Sequence, residues 1–180
     1  MARFKSVDPA SATGRTKELL DSVKLKFGMM PNITRLMANS PAVLEGYLSF
    51  SGSLAGGSLD PRLREQISIA VASSNNCDYC LSAHSAAGRM AGLSQEELKA
   101  AQHGESAGEK ESAALRFATE LVRERGWVDD EDISSLRRAG FDDGQIVEII
   151  AVVMLNMFTN YFNHVAETEI DFPLIKAAAA

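Results

Sequence analysis

Four side chains with reactive chemistry fall in one stretch, EQISIAVASSNNCDYCLSAH: Glu65, Cys77, Cys80 and His84. Cysteine, histidine and carboxylate are the parts from which a base-activated thiol is built. His84 follows Cys80 by four residues, one helical turn, so the imidazole shares a helix face with the thiol and can take its proton. Cys77, three residues back, can attack an oxidised Cys80 and close a disulfide. The spacing therefore provides a nucleophile, a base and a resolving thiol. Cys77 is expected in the first turn of its helix, where unpaired N–H groups and the helix dipole lower a thiol pKa.

For Glu65 to join this group, the chain must double back. Asp60-Pro61 opens a helix to about Ser74 that is apolar nearly all round (Leu63, Ile67, Ile69, Ala70, Val71), the pattern of a central, buried helix. Asn75-Asn76 breaks it, and a second helix runs from Cys77 to about Ala91, with Gly92 past its end. In an antiparallel hairpin, Glu65 lies about 10 residues before the bend and His84 about 8 after it, roughly 15 and 13 Å along the axes. At nearly equal height, Glu65 can orient the imidazole and raise its basicity. Small residues around His84 (Ser82, Ala83, Ser85, Ala86, Ala87) let the helices approach closely.

The remaining sequence reads as helical scaffold, and nothing in it reads as a strand. Helices are expected over Thr13 to Phe27, Ile33 to Ala38, and Pro41 to Ala55 with Ser40 as N-cap. Ser94 and Glu97 form a capping box for a helix to about Gln102. A polar linker, His103 to Glu109, precedes a helix from Ser112 to Arg125 and another capped by Asp129 or Asp130 that ends at Gly140. Trp127 and Val128 read as a hydrophobic staple over the start of the latter. Asp142 opens an apolar helix to about Leu155, and a last helix spans Phe158 to Ile170 before a poly-Ala end expected to fray. The length suits one domain, 1–180, made of N-terminal helices (1–58), the C-x-x-C core (59–102) and C-terminal helices (110–172). A shift of 83 residues sets Asp60 on Asp143, Glu65 on Glu148, Cys77 on Asn160 and Cys80 on Asn163, a candidate faded repeat of two helical halves.

Acidic residues outnumber basic ones, 24 to 18, for a net charge of −6, and no Lys/Arg block interrupts that balance, which argues against a nucleic-acid partner. The N-terminal stretch lacks the apolar core and cleavage pattern of a secretory signal. The most apolar run, Ile146 to Phe158, is short for a bilayer and contains Glu148 and Asn156. The expectation is a cytoplasmic protein with no membrane partner. In a reducing cytosol a lone C-x-x-C serves redox chemistry or metal binding.

Glu65, Cys77, Cys80 and His84, at steps of twelve, three and four residues, resemble the signature of the alkylhydroperoxidase AhpD family, within the carboxymuconolactone decarboxylase-like superfamily. The likeness is strong over about 45 residues, Leu59 to Gln102, and the flanking helices from Gly28-Met29-Met30-Pro31-Asn32 onward follow the same order. It implies an all-α AhpD-like fold, trimers or hexamers, and reduction of a hydroperoxide. Cys80 would be oxidised to a sulfenic acid, with His84 and Glu65, linked directly or through water, as proton relay. Cys77 would resolve it to a disulfide that a dithiol partner reduces. No bound cofactor is needed, because the electrons pass through the cysteine pair. Tyr79 stands where the best-known members carry a histidine; a phenol donates a hydrogen bond but is a poor base near pH 7.

Two other readings compete. One is a non-peroxidatic carboxymuconolactone decarboxylase-like enzyme, although its chemistry has no need of a dithiol. The other is a non-enzymatic zinc-binding or redox-sensing module, in which Cys77, Cys80 and His84 supply three ligands and Glu65 or His164 the fourth. His164, near Asn156, Asn160 and Asn163, reads as buried polar packing or a subunit contact, with a role at a neighbouring subunit's active site as the second option. Met154, Met157, Phe158, Tyr161 and Phe162 read as core or oligomer interface.

Overall fold

Asp60 and Pro61 start the helix around which the others pack. The Asp60 carboxylate accepts from the backbone N–H groups of Arg62 (2.8 Å) and Leu63 (3.4 Å), and proline stands at the first helical position, where its missing N–H costs nothing. The computed structural model describes residues 2–177 and runs through α1 (Gly14–Phe27), α2 (Asn32–Met37), α3 (Pro41–Ala55), α4 (Pro61–Ser74), α5 (Asp78–Met90), α6 (Gln95–Gln102), α7 (Glu109–Arg123), α8 (Asp130–Arg138) and α9 (Asp143–Ala166). No strand occurs among the described residues. Leu63, Ile67, Ile69, Ala70, Val71 and Ala72 of α4 are all buried, because α5, α6, α7 and α9 cover it from several sides. The all-round apolar pattern predicts that central place.

The reversal after α4 is sharp. Asn76 takes the left-handed conformation (φ 53°), which asparagine tolerates better than most residues, and Cys77 N–H donates back to Ala72 O at 2.9 Å. Asn75 fixes the bend to α9 by donating from Nδ2 to Asn160 Oδ1 at 2.9 Å. Gly88 keeps α5 close to its neighbours: a Cβ there would stand 2.9 Å from Leu93 Cδ1 and 3.0 Å from Leu98 Cδ2.

The C-terminal third departs from the sequence reading. The two helices expected over 142–155 and 158–170 are one helix of 24 residues, α9. No Gly or Pro separates them, and Asn156 is absorbed into the helix: its Nδ2 donates to Val152 O one turn back and to Ser68 Oγ on α4, both at 2.9 Å. The Asp142–Gln145 capping box starts α9, and Glu167 ends it in the left-handed region (φ 49°). At this length α9 could cross a membrane by length and composition alone, so the argument from a short apolar run does not hold. Its surroundings are those of a core helix packed on α3, α4, α5 and α7. Across the 83-residue offset, α9 is one continuous helix where α4 and α5 are separated by the Asn75-Asn76 reversal.

Helix α7 starts three residues before the expected Ser112, at Glu109. Trp127 is 87% exposed and staples nothing; Val128 alone packs against the core. Of the poly-Ala end, Ala177 is held by its N–H to Asp78 Oδ1 (2.9 Å), and 178–180 lie outside the described residues.

Candidate active site

Antiparallel packing of α4 on α5 brings the Glu65 carboxylate to His84 at 2.9 Å, Oε2 to Nδ1, a direct contact between residues 19 apart in sequence. Both side chains reach the surface, at 24% and 28% exposure. Below them the thiols are buried, Cys77 at 1% and Cys80 at 3%. The group thus runs from a solvent-touching acid and imidazole to sulfur in the interior.

Cys77 is the N-cap of α5, yet the expected lowering of its pKa does not occur. Its thiol pKa is raised, first because it donates its proton to Cys80, then because it is buried. The Cys80 thiol is lowered by the same hydrogen bond from Cys77, and next by the His84 charge and by the bond from Asn163; burial opposes this and is outweighed. Asn163 Nδ2 donates to Cys80 Sγ at 3.1 Å, and the Cys80 thiol contacts Thr159 Oγ1 at 3.8 Å. Burial pulls the His84 pKa down, but the charge and hydrogen bond of Glu65, with Cys80 and Asn156 in the same direction, raise it overall. A thiolate–imidazolium pair oriented by a carboxylate is a nucleophile with a proton donor beside it.

Tyr79 and His164 do not join this group. The Tyr79 hydroxyl accepts from Ile33 N–H at 3.2 Å, and its ring meets Phe172 edge-on at 5.7 Å. Burial raises its pKa, so it is a tether between α5, α2 and the C-terminal segment. His164 is exposed and stacks on Tyr161, with ring centres 6.5 Å apart, which removes the buried packing and leaves the subunit contact as an expectation. With His164 outside and His84 Nδ1 engaged by Glu65, the four-ligand zinc arrangement is not assembled. Among the described residues no three His, Cys, Asp or Glu side chains converge as a metal site.

Other residues belong to the site that the motif does not name. Asn163 and Thr159 approach Cys80 from α9; the 83-residue offset, which pairs Cys80 with Asn163, is a trace of Asn163 in the sequence, and Thr159 has none. Cys77 Sγ likewise faces Asn160 O at 4.0 Å. Tyr47 on α3 is half-buried near the group. Burial, followed by the charges of Cys80 and Glu65, pushes its phenol up to about 12, and no pattern around it in the sequence marks it.

Residues 41–120 match the carboxymuconolactone decarboxylase family. The chain superposes on a peroxidase-related protein with an alkylhydroperoxidase AhpD core from Ralstonia eutropha JMP134, with TM-score 0.86 and 22% identity over 94% of this chain and 92% of that one. A peroxidase-related protein from Silicibacter sp. TM1040 aligns at TM-score 0.78 and 25% identity, covering 94% of each chain. The debrominase Bmp8, in a cysteine-to-alanine variant complexed with 2,3,4-tribromopyrrole, aligns at TM-score 0.82 and 18% identity, covering 95% of this chain and 94% of that one. No protein with a curated description matches the sequence.

Proposed function

We propose that the chain is a thiol-dependent peroxidase that reduces hydroperoxides through Cys80 and Cys77, a reading supported by the match of residues 41–120 to the carboxymuconolactone decarboxylase family and by the AhpD-like fold shared with peroxidase-related proteins. The observation that carries this reading is the 2.9 Å Glu65–His84 contact beside a thiol whose pKa is lowered. In the first step the Cys80 thiolate attacks the terminal peroxide oxygen. An S–O bond forms, the O–O bond breaks, and the departing alkoxide takes its proton from the His84 imidazolium. Sulfur loses two electrons and the peroxide gains them, leaving Cys80 as S–OH and the product as an alcohol. Cys77 sulfur then displaces water from Cys80, forming the disulfide. An external dithiol returns both cysteines to thiols and is itself oxidised to a disulfide. The raised Cys77 pKa suits the order of events, because Cys77 stays protonated while Cys80 attacks.

The same dithiol could support a second reading, favoured by the likeness to the debrominase. Replacing carbon-bound bromine by hydrogen takes two electrons and a proton and releases bromide, which a dithiol passing to a disulfide can supply. One assay separates the two readings: hydroperoxide consumption and bromide release from a bromopyrrole, each with a panel of dithiol reductants. Peroxide turnover that disappears in Cys80→Ser supports the peroxidase. Full turnover in that variant, or bromide release without peroxide turnover, sinks it. The chemistry requires a reducing compartment, consistent with a cytoplasmic location, and it requires no nucleic acid or membrane. The exposed apolar face of α9 is the surface that a homotrimer or homohexamer would cover.

A further inference from the structure

Asn163 uses only half of its amide. Nδ2 donates to Cys80 Sγ at 3.1 Å, while Oδ1 is buried and has no hydrogen-bond partner among the described residues. Buried carbonyl oxygens are nearly always paired, so an orphan on an amide whose other end holds a reactive sulfur calls for a physical reason. The neighbours supply no proton for it. Thr159 Oγ1 gives its hydrogen to Asn156 O at 3.0 Å, and the Cys77 thiol is directed at Asn160 O at 4.0 Å. The opposite cysteine has no such partner: Cys77 Sγ faces the backbone carbonyl of Asn160, which can only accept.

We infer that Asn163 receives the oxygen delivered to Cys80, its N–H holding the thiolate before the transfer and its orphan carbonyl accepting the S–OH hydrogen afterwards. The inference rests on the peroxidase reading and deepens it. Attack on the terminal oxygen of a hydroperoxide places a new O–H group on Cys80 Sγ, the donor missing in the reduced site. The donor and the acceptor lie on one planar amide, so oxidation completes a hydrogen-bonding set that reduction leaves open. The same asymmetry separates the two thiols. Oxygen on Cys80 meets a complementary amide, whereas oxygen on Cys77 would meet a lone carbonyl. Asn163 is on these grounds a catalytic residue, because it touches the reacting sulfur.

The test is made in Cys77→Ser, where a sulfenic acid on Cys80 has no resolving thiol. Cumene hydroperoxide is the oxidant, a 1,3-diketone traps the sulfenic acid for mass analysis, and iodoacetamide alkylation against pH reports the thiol pKa. Asn163→Leu removes both donor and acceptor. The alkylation midpoint should rise by about one pH unit, and the sulfenic acid should decay about tenfold faster, as expected for loss of one hydrogen bond in each state. Asn163→Asp replaces the donor with charge but keeps an acceptor. Its midpoint should rise at least as far, while the sulfenic lifetime should stay within about twofold of the Asn163 parent. A packing role alone would move both readouts together in both variants. An unchanged lifetime in Asn163→Leu, or equal shortening in the two variants, overturns the inference. If Asn163→Leu does not fold, Asn163→Asp decides: an unmoved midpoint or a tenfold shorter lifetime overturns it. If the Asn163 parent alkylates at Cys80 but never forms a sulfenic acid, the peroxidase reading itself has failed and the inference falls with it.

Discussion

Cys77 and Cys80 lie three residues apart, yet one hydrogen bond drives their acidities in opposite directions, since the thiol that donates is stabilised protonated and the one that accepts is stabilised as thiolate. The pH dependence of turnover follows from these signs. Cys80 is lowered, so its thiolate forms below the ordinary thiol range near about pH 8.5. His84 is raised, so the imidazolium persists above its ordinary value of about 6.5. Peroxide reduction at saturating reductant should therefore rise through the lowered thiol pKa and fall through the raised imidazole pKa. His84→Ala should move the rising limb upward by roughly one pH unit and abolish the falling limb; an unshifted limb would remove His84 from the site. Glu65→Gln keeps the shape but loses the charge beside Nδ1, and kcat should drop roughly tenfold to hundredfold, less than the loss caused by Cys80→Ser. An unchanged kcat would make Glu65 structural. These four residues were legible because their relation is local: a one-turn step, and two helices folded about Asn75-Asn76. Asn163 and Tyr47 were not, because each enters from a helix distant in sequence, and neither asparagine nor tyrosine at such positions signals reactivity without the packing.

Glu148 shows how one side chain anchors a helix. From α9 its carboxylate accepts from Ser58 N–H (2.9 and 3.0 Å to its two oxygens), Ser58 Oγ (2.9 Å) and Leu59 N–H (3.1 Å), joining the middle of the sheath around α4 to the turn that precedes it. The bond from Ser58 N–H is the main reason its pKa is lowered. A lowered carboxyl contributes stability above the unfolded pKa, and that stability is lost as pH falls through the folded pKa. Glu148→Ala should destabilise the protein by about 1–2 kcal/mol near neutral pH, given that the site is partly solvated. The difference from wild type should shrink on acidification through the carboxyl range, as read by urea midpoints at pH 7 and below pH 4. A pH-independent difference would mean that the charge plays no part. At this scale the starts of α3, α4 and α6 were readable because each carries its own cap: Ser40, Asp60, Ser94. The failures share a cause. Asn156 resembles a breaker, but its Nδ2 donates within α9 and to Ser68, and Trp127 resembles a staple, but it is exposed.

At the scale of the whole molecule, the interior face of α9 holds the residues that meet the thiols, and its outer face is exposed among the described residues. Val147, Met154, Phe158, Tyr161 and Val165 are all exposed, and their steps of seven, four, three and four residues keep them on one side of the helix. A continuous apolar stripe on a 24-residue helix marks an interface more often than a free surface. The occupant argued for is a second copy of this chain, since the stripe carries no charge to select a different partner and runs the length of an element able to pair with itself. Sedimentation should give a mass that is a multiple of 19.4 kDa. Met154→Glu with Phe158→Glu should return it to the single-chain value. Because Glu65, His84, Cys77, Cys80 and Asn163 all come from one chain, the monomeric variant should keep the Cys80 alkylation profile within about 0.3 pH unit, while its melting temperature falls through loss of assembly. A wild-type protein that sediments as a monomer at micromolar concentration would refute the interface. A dissociated variant whose Cys80 loses its low pKa would show that the site depends on the assembly after all.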